Sequence, residues 1–364
     1  MLSYYLILFL KGSEQMRKQE KWLPLSWLLS YQRNFNLING ERSIGKTYTL
    51  QKFFINQGIK KKHEFIFLVR TTKQIEEKKV FRKAFEKIIA NEFKDYIFEF
   101  TNTEMYLVNI ISETERELIL IGHCIALSEA VKMKNESFPR VKYMYFDEYM
   151  LEPKDQKQYV NGWDEPDALL SIYHTVDREE DRVIIFLLGN NTSFYNPYHM
   201  HKAFHIPKVE KGEIWCSENV LFYWATASEE LQEQKSKSKF LRMIDGSNYG
   251  NYAKDGNYVG DNYSFVMTMQ NPSRYCFTLA YDNINYGVYL DNKLGLIFIS
   301  DSYDQTNNLI YSLTLGDHKE NTLLTRSKTN VNMKWLSSNF KNGNVRFTSM
   351  EVRVRIEKGV AMLL

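Results

Sequence analysis

An apolar run, Phe35-Asn36-Leu37-Ile38-Asn39, leads into Gly40-Glu41-Arg42-Ser43-Ile44-Gly45-Lys46-Thr47, and a helix-compatible stretch from Tyr48 to Phe54 follows. Strand, glycine-bounded loop and helix in that order place the first half of the chain among α/β folds built on a mainly parallel sheet. The Gly-x-x-x-x-Gly-Lys-Thr spacing lets successive backbone N–H groups wrap phosphates, so Gly40, Arg42, Ser43, Ile44 and Gly45 form a cradle. Lys46 then reaches the β- and γ-phosphates, and the Thr47 hydroxyl holds Mg²⁺. The alternative is a glycine turn with a solvated lysine. Average residue frequencies yield such an eight-residue match in roughly one chain of this length in a hundred, which favours the phosphate reading.

Composition sets outer bounds. A chain of 364 residues with 44% hydrophobic content is long enough for two domains with real cores. The formal net charge of +3 neither demands nor excludes a nucleic-acid partner. Cys124, Cys216 and Cys276 are too few and too scattered for a disulfide framework or a zinc site, which suits a reducing cytoplasm. The apolar stretch from Tyr4 to Leu10 lacks a basic flank and a cleavage site and is too short for a membrane span. It is read as neither signal nor anchor, and a true start at Met16 rather than Met1 would account for it.

Beyond the loop, residues 64–69 form a compact apolar run ending in Arg70-Thr71-Thr72, and a charged helical stretch is predicted over 73–90. Weaker strands are expected over 96–100, 105–109 and 118–121, and a helix start over 125–131. Val141-Lys142-Tyr143-Met144-Tyr145-Phe146-Asp147-Glu148 then has the character of a buried parallel strand delivering carboxylates at its C-terminal edge. In a phosphate-loop ATPase Asp147 joins Thr47 around Mg²⁺ and Glu148 polarises the attacking water. The bland reading is a strand ending in a solvated acidic turn.

A third apolar run, 182–188, ends at Gly189-Asn190-Asn191. Asn190 can orient the lytic water or contact the γ-phosphate, or the two asparagines simply turn the chain. Just upstream, residues 175–182 interleave bases with acids, as a salt-bridged surface segment also would.

Together these residues resemble the DNA-packaging ATPases of small tailed phages of the phi-twenty-nine type, relatives of the terminase large subunits. The likeness also takes in Ser30-Tyr31-Gln32-Arg33, Arg178, the Asn196-Pro197-Tyr198 turn, the segments 242–250 and 259–261, and Tyr311-Ser312-Leu313-Thr314. It implies an ATP-hydrolysing motor that moves double-stranded DNA into a procapsid. It further implies a homo-oligomeric ring, a pentamer in the family, docked on a portal with or without a packaging RNA, with no membrane involved. Such a motor works in the host cytoplasm, attached transiently to the procapsid and absent from the mature virion. Arg178 matches the arginine that reaches a neighbouring subunit's γ-phosphate, a role suited to a planar, permanently charged guanidinium. Lys134 matches a second basic position acting between subunits. Arg70 matches an arginine near the nucleotide, a structural ion pair being the alternative.

The domain reading is a phosphate-loop ATPase domain over 1–205, a linker over 206–255 and a ribonuclease-H-like α+β domain over 256–364. Lys235-Ser236-Lys237-Ser238-Lys239 reads as an exposed basic loop, either touching DNA phosphate or merely solvated. Strands are expected over 263–269, 275–281, 286–290 and 294–299. A two-metal nuclease needs several carboxylates converging on ions about 4 Å apart. Asp282, Asp291 and Asp301 fit hairpin turns equally well, and Glu351 is the sole acid between Lys334 and Arg355. A vestigial nuclease is therefore expected, as the resemblance also implies, against the alternatives of a cutting terminase or a nucleotide-switched DNA-binding assembly factor. Arg326, Lys328, Lys334, Lys341, Arg346, Arg353 and Arg355 offer a basic tail suited to a nucleic-acid backbone. The alternation over 352–356 also reads as a half-buried strand.

Overall fold

A computed structural model describes residues 22–77, 79–244, 263–270, 273–324 and 330–364. The apolar 4–10 stretch, Met16, residues 245–250 and 259–261, Arg326 and Lys328 lie outside the described residues. The chain divides into two units, 1–260 and 261–364.

In the first unit the strands are β1 (Phe35–Gly40), β2 (Glu64–Val69), β3 (Ile97–Phe100), β4 (Glu104–Ile110), β5 (Arg116–Ala126), β6 (Val141–Asp147), β7 (Ile184–Gly189), β8 (Ile214–Cys216) and β9 (Val220–Ala225). They form one sheet in the order β3-β4-β5-β2-β6-β7-β1-β9-β8. From β5 to β9 across its middle every pairing is parallel, with antiparallel strands at the two edges. The central strands read as continuous apolar runs because both faces are covered. Along β2, Phe65, Phe67 and Val69 enter one core while Ile66 and Leu68 enter the other. The first core packs α1 (Leu25–Leu29), α2 (Lys46–Lys61), α3 (Thr72–Glu76) and α4 (Val80–Glu92) against the sheet through Leu28, Phe54, Ile75 and Phe85. The second takes Leu169, Ile172 and Val176 from α5 (Glu165–Asp177).

Several expectations are corrected here. The helix expected over 73–90 is broken into α3 and α4, Lys79 taking a left-handed backbone (φ 46°) between them. Residues 125–131 do not start a helix: Ile125 and Ala126 complete β5 beside β2, and a 3₁₀ turn, Leu127–Glu129, follows. The 206–255 linker contains β8 and β9, and β9 pairs along the whole of β1 because its six residues are all buried. The segment continues into α6 (Glu229–Ser236) and α7 (Lys239–Met243), so the start of the 235–239 patch is helical rather than loop.

The second unit holds β10 (Arg274–Tyr281), β11 (Ile284–Asp291), β12 (Leu296–Ser300), β13 (Ile310–Ser312), β14 (Leu323–Leu324) and β15 (Val345–Phe347), in the order β14-β13-β10-β11-β12-β15. The run β10-β11-β12 is antiparallel, while β13 and β14 add in parallel on the other side of β10. This is the ribonuclease-H-like arrangement. Helices α8 (Val331–Lys341) and α9 (Met350–Ala361) supply Leu336, Val352 and Ile356 to its core. Two expectations fail. Residues 263–269 form no strand; Val266 makes an isolated parallel bridge to Phe347. The 352–356 alternation lies inside α9, where Arg353 pairs with Glu357 and Arg355 with Glu351 one turn away. Those two arginines are therefore engaged within their own helix, and Arg346 lies over the Phe265 ring.

Candidate nucleotide site

The parallel strands deliver their C-terminal ends to one edge. There β1 ends in Gly40, β6 in Asp147 and β7 in Gly189, followed by Asn190. The loop after β1 turns through Ser43 (φ 64°) and Gly45 (φ 80°), and α2 begins at Lys46. Only glycine takes that last conformation without strain, and Trp22 closes over it, so a side chain at Gly45 would also collide with the indole. The N-terminal turn of α2 leaves its backbone N–H groups without intrahelical partners, which is the physical basis of anion binding.

Lys46 Nζ lies 2.9 Å from the Gly40 carbonyl, 2.8 Å from that of Glu41 and 3.4 Å from Asn190 Oδ1. Burial pulls the lysine's pKa down to about 8, with Asp147 acting in the opposite direction. The Thr47 hydroxyl donates to Asp147 Oδ2 at 2.8 Å. Burial pushes the Asp147 carboxyl up, while the Thr47 hydroxyl opposes this. Glu148 follows in a left-handed conformation (φ 56°), its N–H donating to Asp147 Oδ1. Arg42, Ser43, Ile44, Gly45, Lys46, Thr47, Asp147, Glu148 and Asn190 line one cavity of about 360 Å³. A desolvated lysine and a desolvated carboxylate with a hydroxyl beside it are groups that gain from an anion and a cation respectively, so the residues fit a polyphosphate with a divalent metal. A second cavity of about 680 Å³ adjoins the loop, sharing Ser43, Gly45 and Tyr48 and walled by Trp22, Lys52 and Glu92.

Arg70 is brought elsewhere than expected. Its guanidinium is buried, pairs with Glu165 Oε2 at 3.1 Å and donates to the carbonyls of Glu148 (2.9 Å) and Tyr149 (2.7 Å). The ion-pair alternative therefore describes it, and it braces the backbone around Glu148 instead of facing the loop. Arg178 is not brought to the site either. It precedes β7, at the opposite sheet edge, roughly 20 Å of strand away from Asn190. It caps α5 in a left-handed conformation (φ 58°) and donates to the Glu136 carbonyl. Lys134 lies two residues from that carbonyl, exposed, so both candidates for contact with a neighbour occur together.

Other residues at the site escaped sequence reasoning. Glu41, the second residue of the loop, is 6% exposed and pairs with Lys235 Nζ at 2.8 Å and Lys211 Nζ at 3.3 Å. Lys235 is thus a tether on α6, not an exposed basic loop residue. Asn39, Tyr149 and His199 are buried behind the cavity. No local motif marks these groups, since their partners lie up to 194 residues away.

Among the described residues no helix is long and apolar enough to cross a membrane. The sequence model described as podovirus DNA encapsidation protein (Gp16) matches residues 18–360. The DNA packaging protein of Bacillus phage PZA is 30% identical over 327 residues, 90% of this chain and 93% of its own length. That of Bacillus phage phi29 matches over the same span, again at 30% identity. A chain of the bacteriophage Phi-29 viral genome packaging motor assembly superposes with a TM-score of 0.72 at 27% identity, covering 95% of this chain and 100% of that one. The Phi-28 gp11 DNA packaging motor shares the fold at 18% identity, with a TM-score of 0.55 over 94% and 97% of the two chains. The chain belongs to the podovirus DNA encapsidation protein (Gp16) family.

Proposed function

We propose that the chain hydrolyses ATP to drive double-stranded viral DNA into a procapsid, working as a homo-oligomeric ring at the portal. The observation that carries this reading is the 2.8 Å bond between Thr47 and Asp147, with Lys46, Glu148 and Asn190 around the same cavity. The loop N–H groups and Lys46 bind the phosphates, and Thr47 and Asp147 hold Mg²⁺, which supplies charge neutralisation when bound. Glu148 orients the attacking water and accepts its proton, and Asn190 holds the water or the terminal phosphate in register. The neighbouring cavity, with Trp22 and Tyr48 on its walls, seats the base and ribose.

Arg178 lies too far from its own loop to act there, which supports a role at a neighbour's phosphates, with Lys134 beside it. The second unit serves DNA handling without cutting. Asp291 is engaged by the backbone N–H groups of Lys293 and Leu294, and Asp301 by the Ser300 hydroxyl, as turn residues are. Lys46→Ala and Glu148→Gln are each expected to lower ATP turnover in the presence of procapsids and DNA by at least about a hundredfold. Turnover at the wild-type rate in either folded variant would refute the assignment. Incubation with plasmid and Mn²⁺ is expected to give no nicking.

A further inference from the structure

Three residues of the site are each next in sequence to a member of one buried cluster. Asn39 precedes Gly40, Tyr149 follows Glu148, and Gly189 precedes Asn190. The Tyr149 hydroxyl lies 2.6 Å from Asn39 Oδ1 and 2.8 Å from His199 Nε2, and Asn39 Nδ2 lies 3.1 Å from Met150 Sδ. Tyr149 N–H also donates to the carbonyl of Leu188, which fastens the segment after β6 to β7. Asn39 and Tyr149 have no exposed surface and His199 has 1%. Gly189 closes the remaining side: a Cβ there would sit 2.8 Å from Asn39 Oδ1, 2.8 Å from the Tyr149 ring and 3.0 Å from Met150 Sδ. The ends of β1, β6 and β7 thus meet on the same few polar atoms.

We propose that Asn39, Tyr149 and His199 are positioning residues that set the spacing between the phosphate loop, Glu148 and Asn190, acting on turnover without touching the nucleotide. The inference rests on the nucleotide-hydrolysis reading above. Burial pulls the His199 pKa down to about 3, so the ring stays neutral and the cluster keeps its hydrogen bonding across the working pH range. The contacts among Asn39, Tyr149, Met150 and His199 tie the three strand ends together, and a displacement of a few tenths of an ångström at a strand end passes directly to the residue beyond it. A cluster that served stability alone would have no reason to couple to kcat.

The test compares full-length Tyr149→Phe with wild type in procapsid-dependent ATP turnover, far below the unfolding temperature. The ring keeps its packing against Tyr198, so the hydroxyl alone is removed. Turnover (kcat) is expected to fall about tenfold while KM and the ATP dissociation constant stay within about twofold. Gly189→Ala removes no polar atom, but its Cβ would sit 2.8 Å from Asn39 Oδ1 and from the Tyr149 ring and so force the cluster to shift, and the same kcat-selective loss is expected. Tyr173→Phe is the control. It removes a hydroxyl bonded to the Val183 carbonyl at the far sheet edge and should lower the unfolding temperature without changing kcat. If Tyr149→Phe and Gly189→Ala both keep wild-type kcat, the positioning role is overturned while the hydrolysis reading stands. If wild type turns over no faster than Lys46→Ala, the hydrolysis reading falls and the positioning role with it.

Discussion

Arg70 illustrates how far a single residue can be read from sequence. The family likeness matched it to an arginine near the nucleotide, with a structural ion pair as the alternative, and it directly follows β2. Its role depended on Glu165, 95 residues on, whose carboxylate also accepts from the Tyr198 hydroxyl and the Val160 N–H. No local pattern reveals that pairing. Because both charges are buried, Arg70→Ala leaves Glu165 without its counter-charge. We expect a loss of about 3–5 kcal/mol, against a smaller loss for the double variant Arg70→Met/Glu165→Met. Guanidinium unfolding followed by tryptophan fluorescence measures both.

The legible elements were those buried on both faces. Strands β1, β2, β6 and β7 stood out because parallel strands covered by helices on both sides are unbroken apolar runs, and the site residues were visible because they sit where such runs stop. Segments whose burial is one-sided or whose period is ambiguous were not legible. In α9 the core positions Val352 and Ile356 are four apart, a spacing that satisfies both a helix face and a strand face. The helix wins because Ser349 caps it, its hydroxyl accepting from the Val352 N–H at 3.1 Å, and because the intervening arginines find acids one turn away. Ser349→Ala should therefore cost about 1 kcal/mol, seen as a lower thermal midpoint for the second unit. Strand β9 was missed for another reason. Its sequence is as apolar as its neighbours', but it follows Lys- and Glu-rich chain with no motif, and only its pairing with β1 shows that it belongs to the sheet.

For the molecule as a whole, the position of Arg178 makes a single chain an incomplete machine in the proposed reading. Arg178→Ala and Glu148→Gln preparations, each inactive alone, should recover part of the wild-type ATPase rate when mixed before assembly. In a mixed ring some interfaces combine an intact Glu148 with an intact Arg178. No recovery, with both variants shown to assemble, would count against an arginine acting between subunits. The division near residue 260 carries its own expectation. Residues 261–364 have their own core, with Leu336, Val352 and Ile356 against Val288 and Ile299, so expressed alone they should unfold in one cooperative transition. Calorimetry of the fragment reads this directly.

The ion pairs of Glu41 bear on how portable the phosphate loop is. An acid in the second position of an anion-binding loop works against the loop's purpose unless cations neutralise it, and here they arrive from Lys211 and from Lys235, 194 residues further along. The eight residues from Gly40 to Thr47 are thus not a self-contained cassette. Grafted into another scaffold of the same fold without those two lysines, the loop would bring an unneutralised charge to the phosphates, and repairing the graft would mean copying the chain ahead of β8 and helix α6 along with the motif.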